Sequence, residues 1–311
     1  MRSSGTVLCL ASGVAFGAMG VFGKLAYAAG TTAGTLLPVR FAVAAVLFWA
    51  LLAAGGGGAE VRSLRPRDAV GGLALGACAY ALQAGCYFAA LERIDASLLS
   101  LLVYTFPAIV AVAAVTLGRE ALDTRRTAAL ALASAGLVLV VAGAGAGALD
   151  ALGVGLGLGA AVVYATYILV SDGVAARVSP RLLAALVCTG AAATLTAGSA
   201  VLGELRPGAT TAAGWGWPIC LAVVSTVVAI SCFFAGLRRV GPTTASILAT
   251  VEPLVTVLLA FAAFGERLGG VQLAGGALVL AAVLVLQVRL GARHGRARRR
   301  PGEPHALADP A

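Results

Sequence analysis

Ten separate stretches of this chain are long and apolar enough to cross the hydrocarbon layer of a bilayer as helices, and that constrains its fold more than any motif. A spanning helix needs about 20 mostly apolar residues. Such runs are read at 5–29, 32–54, 70–91, 96–117, 126–143, 151–172, 181–203, 216–237, 244–264 and 270–289, the run at 126–143 being the shortest. Only 11% of residues are charged and 60% are hydrophobic, with a mean hydropathy of +0.98. A soluble domain carries about 25% charged residues, so this chain lacks the polar side chains to coat a water-facing surface. Barrel strands alternate polar and apolar residues; these runs are apolar on every side. The expected fold is therefore an all-α membrane protein with ten transmembrane helices.

The placement of the basic residues sets the expected orientation. If the N-terminus lies inside, the inner segments hold Arg2, the cluster Arg62, Arg65 and Arg67, then Arg119, Arg125 and Arg126, Arg177 and Arg181, Arg238 and Arg239, and six arginines from Arg289 to Arg300. The outer segments hold only Arg93, Arg206 and Arg267. Positive charge concentrates in cytoplasmic loops, which puts both termini in the cytoplasm. Residues 291–311, rich in Arg, Pro, Gly and Ala, read as a disordered basic tail. The net charge of +9 is then a matter of topology and of attraction to anionic membrane lipid rather than of nucleic-acid binding. Ala26-Tyr27-Ala28 resembles a signal-peptidase site, but the preceding apolar run is long for a signal sequence, so a retained first helix is expected.

The six cysteines fall within or beside apolar runs with no C-x-x-C pair, and read as small buried hydrophobes. The two histidines, His294 and His305, lie in the tail, so no histidine metal site is expected in the core. No cofactor is expected. The glycine run from Gly153 to Gly159 opens a spanning helix rather than following a strand, and reads as a close-packing surface, not a nucleotide loop.

The chain also aligns with itself. At an offset of 146 residues, Phe88-Ala89-Ala90-Leu91 meets Phe234-Ala235-Gly236-Leu237, Pro107 meets Pro253 and Glu120 meets Glu266. Two five-helix units follow, 1–145 and 146–290. Five is odd, so the units are expected to be inverted across the bilayer. Inverted repeats are widespread among secondary transporters, which alternate access around a midplane site at the repeat interface.

The pattern from Leu102 through Pro107 to Gly118 and Glu120, recurring as Leu248-Ala249-Thr250-Val251-Glu252-Pro253 and Phe264-Gly265-Glu266-Arg267-Leu268, resembles the EamA-type drug/metabolite transporters. Arg40, in Leu36-Leu37-Pro38-Val39-Arg40-Phe41, is similar to an arginine those proteins carry in the second span. The resemblance implies a ten-helix fold around a central cavity and the export of small metabolites, amino acids or toxic compounds. The seventh span carries no arginine matching Arg40, so the cavity need not be symmetric.

Ionisable groups inside a span cost about 2.5 to 3.5 kcal/mol at the bilayer centre and therefore mark candidate function. Lys24, Arg40 and Glu252 qualify. Lys24 and Arg40 lie in the outer halves of their spans, where they could also snorkel to water. Glu252 lies near mid-depth, before a proline that removes a backbone donor, and could bind a proton or a substrate amine, or serve as a hydrogen-bonded structural acid. Pro107 and Pro253 are hinge candidates or static bends. Glu120 and Glu266, following their apolar runs, are candidates for gating or for hydrogen bonding at helix ends. Tyr80, Gln83, Tyr87, Tyr104, Tyr164, Tyr167, Ser225 and Thr250 are candidate cavity walls, each also suited to bonding helices together.

The function expected is a secondary transporter, most simply an exporter of a small organic solute in the bacterial cytoplasmic membrane, with protons as a candidate coupling ion. A membrane-embedded lipid-modifying enzyme would need clustered Asp, His or Cys at depth. A structural or receptor membrane protein would have no evident use for inverted duplication.

Overall fold

The computed structural model describes residues 2–118, 123–143 and 150–288. Glu120 and the basic tail lie outside the described residues.

Among those residues the chain is helical, without strands. Eight helices are long and apolar enough to cross a membrane: α1 (Ser3–Ala28), α2 (Ala33–Ala54), α3 (Pro66–Leu91), α4 (Ala96–Thr116), α6 (Ala151–Ala175), α7 (Pro180–Val201), α8 (Ala213–Val240) and α9, whose apolar part is Ile247–Phe264. Two more, α5 (Thr124–Ala142) and α10 (Gly270–Val288), have apolar stretches of 17 residues at Arg126–Ala142 and Gly270–Leu286.

Local chemistry sets the helix ends. Asp123, Asp150 and Ser179 cap α5, α6 and α7 by accepting from the N–H groups of Arg126, Gly153 and Leu182. Gly118 and Gly265, at φ of +67° and +68°, turn the chain out of α4 and α9.

Hydrogen bonds fix the pairing of the helices. Helices α1 and α8 run antiparallel, with Ser12 Oγ donating to the Ala229 carbonyl at 2.8 Å and Ser225 Oγ to the Ala15 carbonyl at 2.6 Å. Helices α2 and α7 are also antiparallel: Trp49 Nε1 donates to Thr189 Oγ1 near one end, and the Arg206 N–H donates to Thr35 Oγ1 at the other. Helices α5 and α10 cross at glycines, where a Cβ on Gly136 would stand 2.7 Å from the Gly275 carbonyl oxygen. Only bare backbones approach that closely. Helix α6 packs on α3 and α4, as α1 packs on α8 and α9. Exchanging the first five helices for the last five thus reproduces the pairing, and the exchanged partners α2 and α7 point in opposite directions.

Two helices loosen at matching places. Helix α3 widens to π-helix at Leu75–Tyr80, and α8 at Val223–Val228, 148 residues further on. Helices α4 and α9 each break ahead of a proline, into Ala96–Val103 and Phe106–Thr116, and into Pro242–Ala249 and Val251–Phe264. A proline ring clashes with the carbonyl four residues back and supplies no N–H, which accounts for both breaks.

The cysteines only partly follow the buried reading. Cys9 and Cys188 are buried, Cys86, Cys220 and Cys232 are half-buried, and Cys78 is exposed on the π segment of α3. Lipid tolerates an apolar thiol as readily as a protein core does, so hydrophobicity could not tell these surroundings apart.

Candidate functional site

The break in α9 creates the polar centre. Pro253 leaves the Ala249 carbonyl without its helical donor, and the Tyr104 hydroxyl from α4 donates to it at 2.8 Å. The same hydroxyl lies 3.1 Å from Glu252 Oε2. Thr250 Oγ1 closes the kink by donating to the Ile247 carbonyl at 2.7 Å. The break, its proline, a tyrosine from the other half and the Glu252 carboxylate thus form a single unit.

Arg40 occupies the other side. It does not snorkel to water: it is only 3% exposed. Its Nε donates to Thr226 Oγ1 at 3.1 Å, and Thr226 Oγ1 donates to the Leu221 carbonyl, five residues earlier. That i−5 bond belongs to the π segment of α8, so the widened turn presents Thr226 to the guanidinium; such bulges recur at functional sites. The guanidinium carbon stands 5.0 Å from the Phe41 ring centroid and 5.4 Å from that of Phe88. These contacts return about 0.5 to 2 kcal/mol each, against a burial cost of several kcal/mol for an ion.

A file of rings joins the two charges. Phe41 meets Tyr80 at 5.5 Å between centroids, Tyr80 meets Tyr167 at 5.4 Å, and Tyr167 stacks on Tyr164 at 6.2 Å. Tyr164 then meets Phe106 at 4.6 Å, and Phe106 meets Tyr104 at 6.0 Å. Tyr80 ends the π segment of α3, and Gln83 follows one turn later. Tyr80, Gln83, Tyr164, Tyr167 and Glu252 are half-buried. Of the other candidate wall residues, Tyr87 is buried against Phe88, and Ser225 is spent on the α1 backbone.

Lys24 and Glu266 belong elsewhere. Gly265 turns the chain so that the Glu266 carboxylate caps the start of α4, accepting from the Ala96 N–H at 3.2 Å, the Ser97 N–H at 3.0 Å and Ser97 Oγ at 2.8 Å. Lys24 Nζ donates to it at 2.7 Å and also reaches Asp95 at 3.4 Å. Around them is an open depression of about 740 Å³, lined in part by Tyr27, Glu92 and Arg93. Burial pushes the Glu266 carboxyl upward, but the bonds from Lys24 and the Ser97 N–H outweigh it and hold the group below the usual carboxylate range. At Glu92 the same burial wins, and the group is held above that range despite the adjacent Arg93.

At the opposite end a smaller depression, about 300 Å³, holds Asp68, Arg177 and Glu60. Arg177 Nε donates to the buried Asp68 at 2.8 Å, and the Ser179 N–H donates to Glu60 at 3.1 Å. Sequence reasoning named Arg177 only as an inner-segment charge and Phe41 and Phe88 only within motifs, and assigned a site role to none of these, nor to Asp68, Glu60, Thr226, Phe106 and Ser97. The phenylalanines do stand beside residues it did single out, or within the repeated Phe-Ala-Ala-Leu segment.

The comparisons with known proteins agree with this architecture. A solved crystal structure superposes with a TM-score of 0.65 over 94% of this chain and 99% of that one, at 20% identity, a likeness of fold alone. An uncharacterized transporter of Archaeoglobus fulgidus is 45% identical over 71 residues, 23% of this chain and 26% of that protein. The chain therefore matches about a quarter of that relative's length. The sequence model of the EamA-like transporter family matches residues 3–142 and again 151–288. With nearly the whole chain matched and eight apolar helices long enough to span, this is a multi-pass membrane protein that belongs to the EamA-like transporter family.

Proposed function

We propose that the protein is a secondary transporter of a small organic solute, exporting it across the cytoplasmic membrane by alternating access. The two halves are inverted five-helix units, 1–145 and 146–290, in which α5 and α10 also cross the bilayer and both termini face the cytoplasm. The solute sits among Tyr80, Tyr164, Tyr167 and Tyr104, where the halves meet. The exchange symmetry of the helix pairing supports the inverted arrangement, and the opposed breaks at Pro107 and Pro253 supply hinges where each half can bend.

The observation that carries the reading is the double contact of the Tyr104 hydroxyl with the Ala249 carbonyl and Glu252. A phenol has one proton, and a carbonyl can only accept. That proton is shared between the Ala249 carbonyl at 2.8 Å and the Glu252 carboxylate at 3.1 Å, and a proton taken up by Glu252 would release the hydroxyl to the carbonyl alone. Glu252 is in this reading the group that takes up and releases the coupling proton. An ion-pair clasp at each end, Lys24–Glu266 outside and Asp68–Arg177 inside, opens in turn to expose it.

The test compares solutes outside cells expressing the protein, its Glu252→Gln variant or neither, at matched membrane levels. A solute that accumulates only with the intact protein is then loaded into liposomes holding the purified protein. Proton-driven flux is expected from the intact protein; Glu252→Gln is expected to lose the response to the proton gradient while retaining solute exchange. Flux that ignores the gradient in both would remove the coupling role, and no flux of any solute in either direction would remove the transporter reading.

A further inference from the structure

Resting on that reading, we infer that the transported solute carries an oxyanion, a carboxylate or its equivalent, and that Arg40 receives it. The argument begins with what Arg40 lacks. Of its five N–H donors, only Nε–H has an acceptor, Thr226 Oγ1 at 3.1 Å. Among the described residues no carboxylate, carbonyl or hydroxyl accepts from Nη1 or Nη2; the residue as a whole is only 3% exposed, and neither Nη is among the fully enclosed atoms without a partner. The ionisable side chains near it are Tyr80, Tyr87 and Cys188, two hydroxyls and a thiol that are uncharged in their ordinary state. Guanidinium cannot shed its proton, so the charge cannot be removed by neutralisation. A buried cation of this kind is retained only where something restores its counter-charge.

The geometry also says which atoms remain available. Phe41 and Phe88 hold the guanidinium 5.0 and 5.4 Å from their ring centroids, and Thr226 fixes its Nε edge. The four Nη hydrogens are left for a planar two-oxygen acceptor, the shape a carboxylate presents. Tyr80 stands against Phe41 and opens the file of rings, so a solute anchored at Arg40 would lay its apolar or aromatic body along Tyr80 and Tyr167. A lipid headgroup is not the anion, because Arg40 is enclosed by protein rather than set in the lipid-facing surface. An oxyanion leaving from Arg40 while a proton enters on Glu252 moves charge in one sense, so a membrane potential that is negative inside would drive both halves of the cycle.

The test uses the purified full-length protein in a neutral detergent free of anionic lipid. Phenylacetate, benzyl alcohol and benzylamine are titrated while the thermal unfolding midpoint is followed. Phenylacetate is expected to raise the midpoint, and the two probes without an oxyanion to leave it unchanged. In Arg40→Gln the dissociation constant for phenylacetate is expected to rise about 10- to 100-fold, the loss of a charge-assisted pair. Arg40→Lys, which keeps the charge without the planar fork, should fall between. Should Arg40→Gln not fold, the preference of the intact protein among the three probes and the behaviour of Arg40→Lys decide. Equal stabilisation by benzylamine, no stabilisation by phenylacetate, or unchanged phenylacetate binding in a folded Arg40 variant would each overturn the assignment. Liposome flux separates this from the parent reading: solute movement that survives Arg40→Gln keeps the transporter and removes the anion site, whereas phenylacetate binding without flux of any solute does the reverse.

Discussion

The two ends of the helix bundle, called outer and inner after the proposed topology, are both closed by ion pairs that join the first half of the chain to the second, but they are built to different strengths. Outside, the Glu266 carboxylate is 6% exposed and accepts from four donors on two helices of the other half. Inside, Asp68 is just as buried, at 5%, but its partner Arg177 is 41% exposed. Burying one partner of a pair while leaving the other in water gives a contact that solvent and salt weaken. The difference implies that the outer end holds more tightly and that the inner end yields first.

Four measurements break or sharpen that contrast. The largest effect is expected from Glu266→Ala, which strips the cap from α4, leaves the Ala96 and Ser97 N–H groups unpaired and leaves Lys24 only the exposed Asp95 at 3.4 Å. A loss of about 3 to 5 kcal/mol is expected from breaking a buried, multiply bonded pair, read as thermal or denaturant unfolding in detergent. A loss equal to that of the inner variant below would abolish the contrast.

Acidification should act on the outer end with a defined sign. Glu266 is held below its unfolded value, so its stabilisation is complete above the ordinary carboxylate range and is lost as pH falls through the lowered folded value. Glu92, pushed upward, acts oppositely: its ionised form is disfavoured in the fold, so stability declines as pH rises through its raised value. Protection of the Ala96 and Ser97 amides, taken relative to their intrinsic exchange rates at each pH, should therefore persist through mildly acidic pH and fall only below it. Loss of protection on first leaving neutrality would contradict the assignment.

Asp68→Asn is expected to cost about 1 kcal/mol, because the exposed Arg177 can find water instead, and added salt should shrink that difference. The smallest effect is expected from Glu60→Gln, about 0.5 kcal/mol, since the amide oxygen can still accept from the Ser179 N–H. A larger effect there would mean the inner end depends on charge after all.

The class of fold was legible because lipid demands an uninterrupted apolar run wherever a helix crosses, and such runs survive in composition and hydropathy. The breaks in α4 and α9 could be placed because proline removes a donor wherever it sits. Arg40, Glu252 and the tyrosines stood out because polar groups at depth are costly enough to be informative one at a time. What could not be read was which of them meet. Lys24 and Glu252 are equally anomalous in sequence, yet Lys24 is bound to Glu266 while Glu252 contacts Tyr104. The two π segments had no visible signal, since widening a turn by one residue leaves apolar composition unchanged, and Thr226 was hidden with them.

The sequence by itself determined that this chain is a helical, multi-pass membrane protein of the EamA-like family, because solvent preference and a family motif are written residue by residue. Only the tertiary structure decided that Arg40 and Glu252 lie at opposite ends of one file of rings. It also decided that Arg40 has a single acceptor among the described residues, that Tyr104 repairs the carbonyl freed by Pro253, and that Glu266 caps a helix from the other half. The physical reason is that a hydrogen bond or an ion pair is a property of two groups brought within about 3 Å, and in this bundle the partners come from helices far apart along the chain.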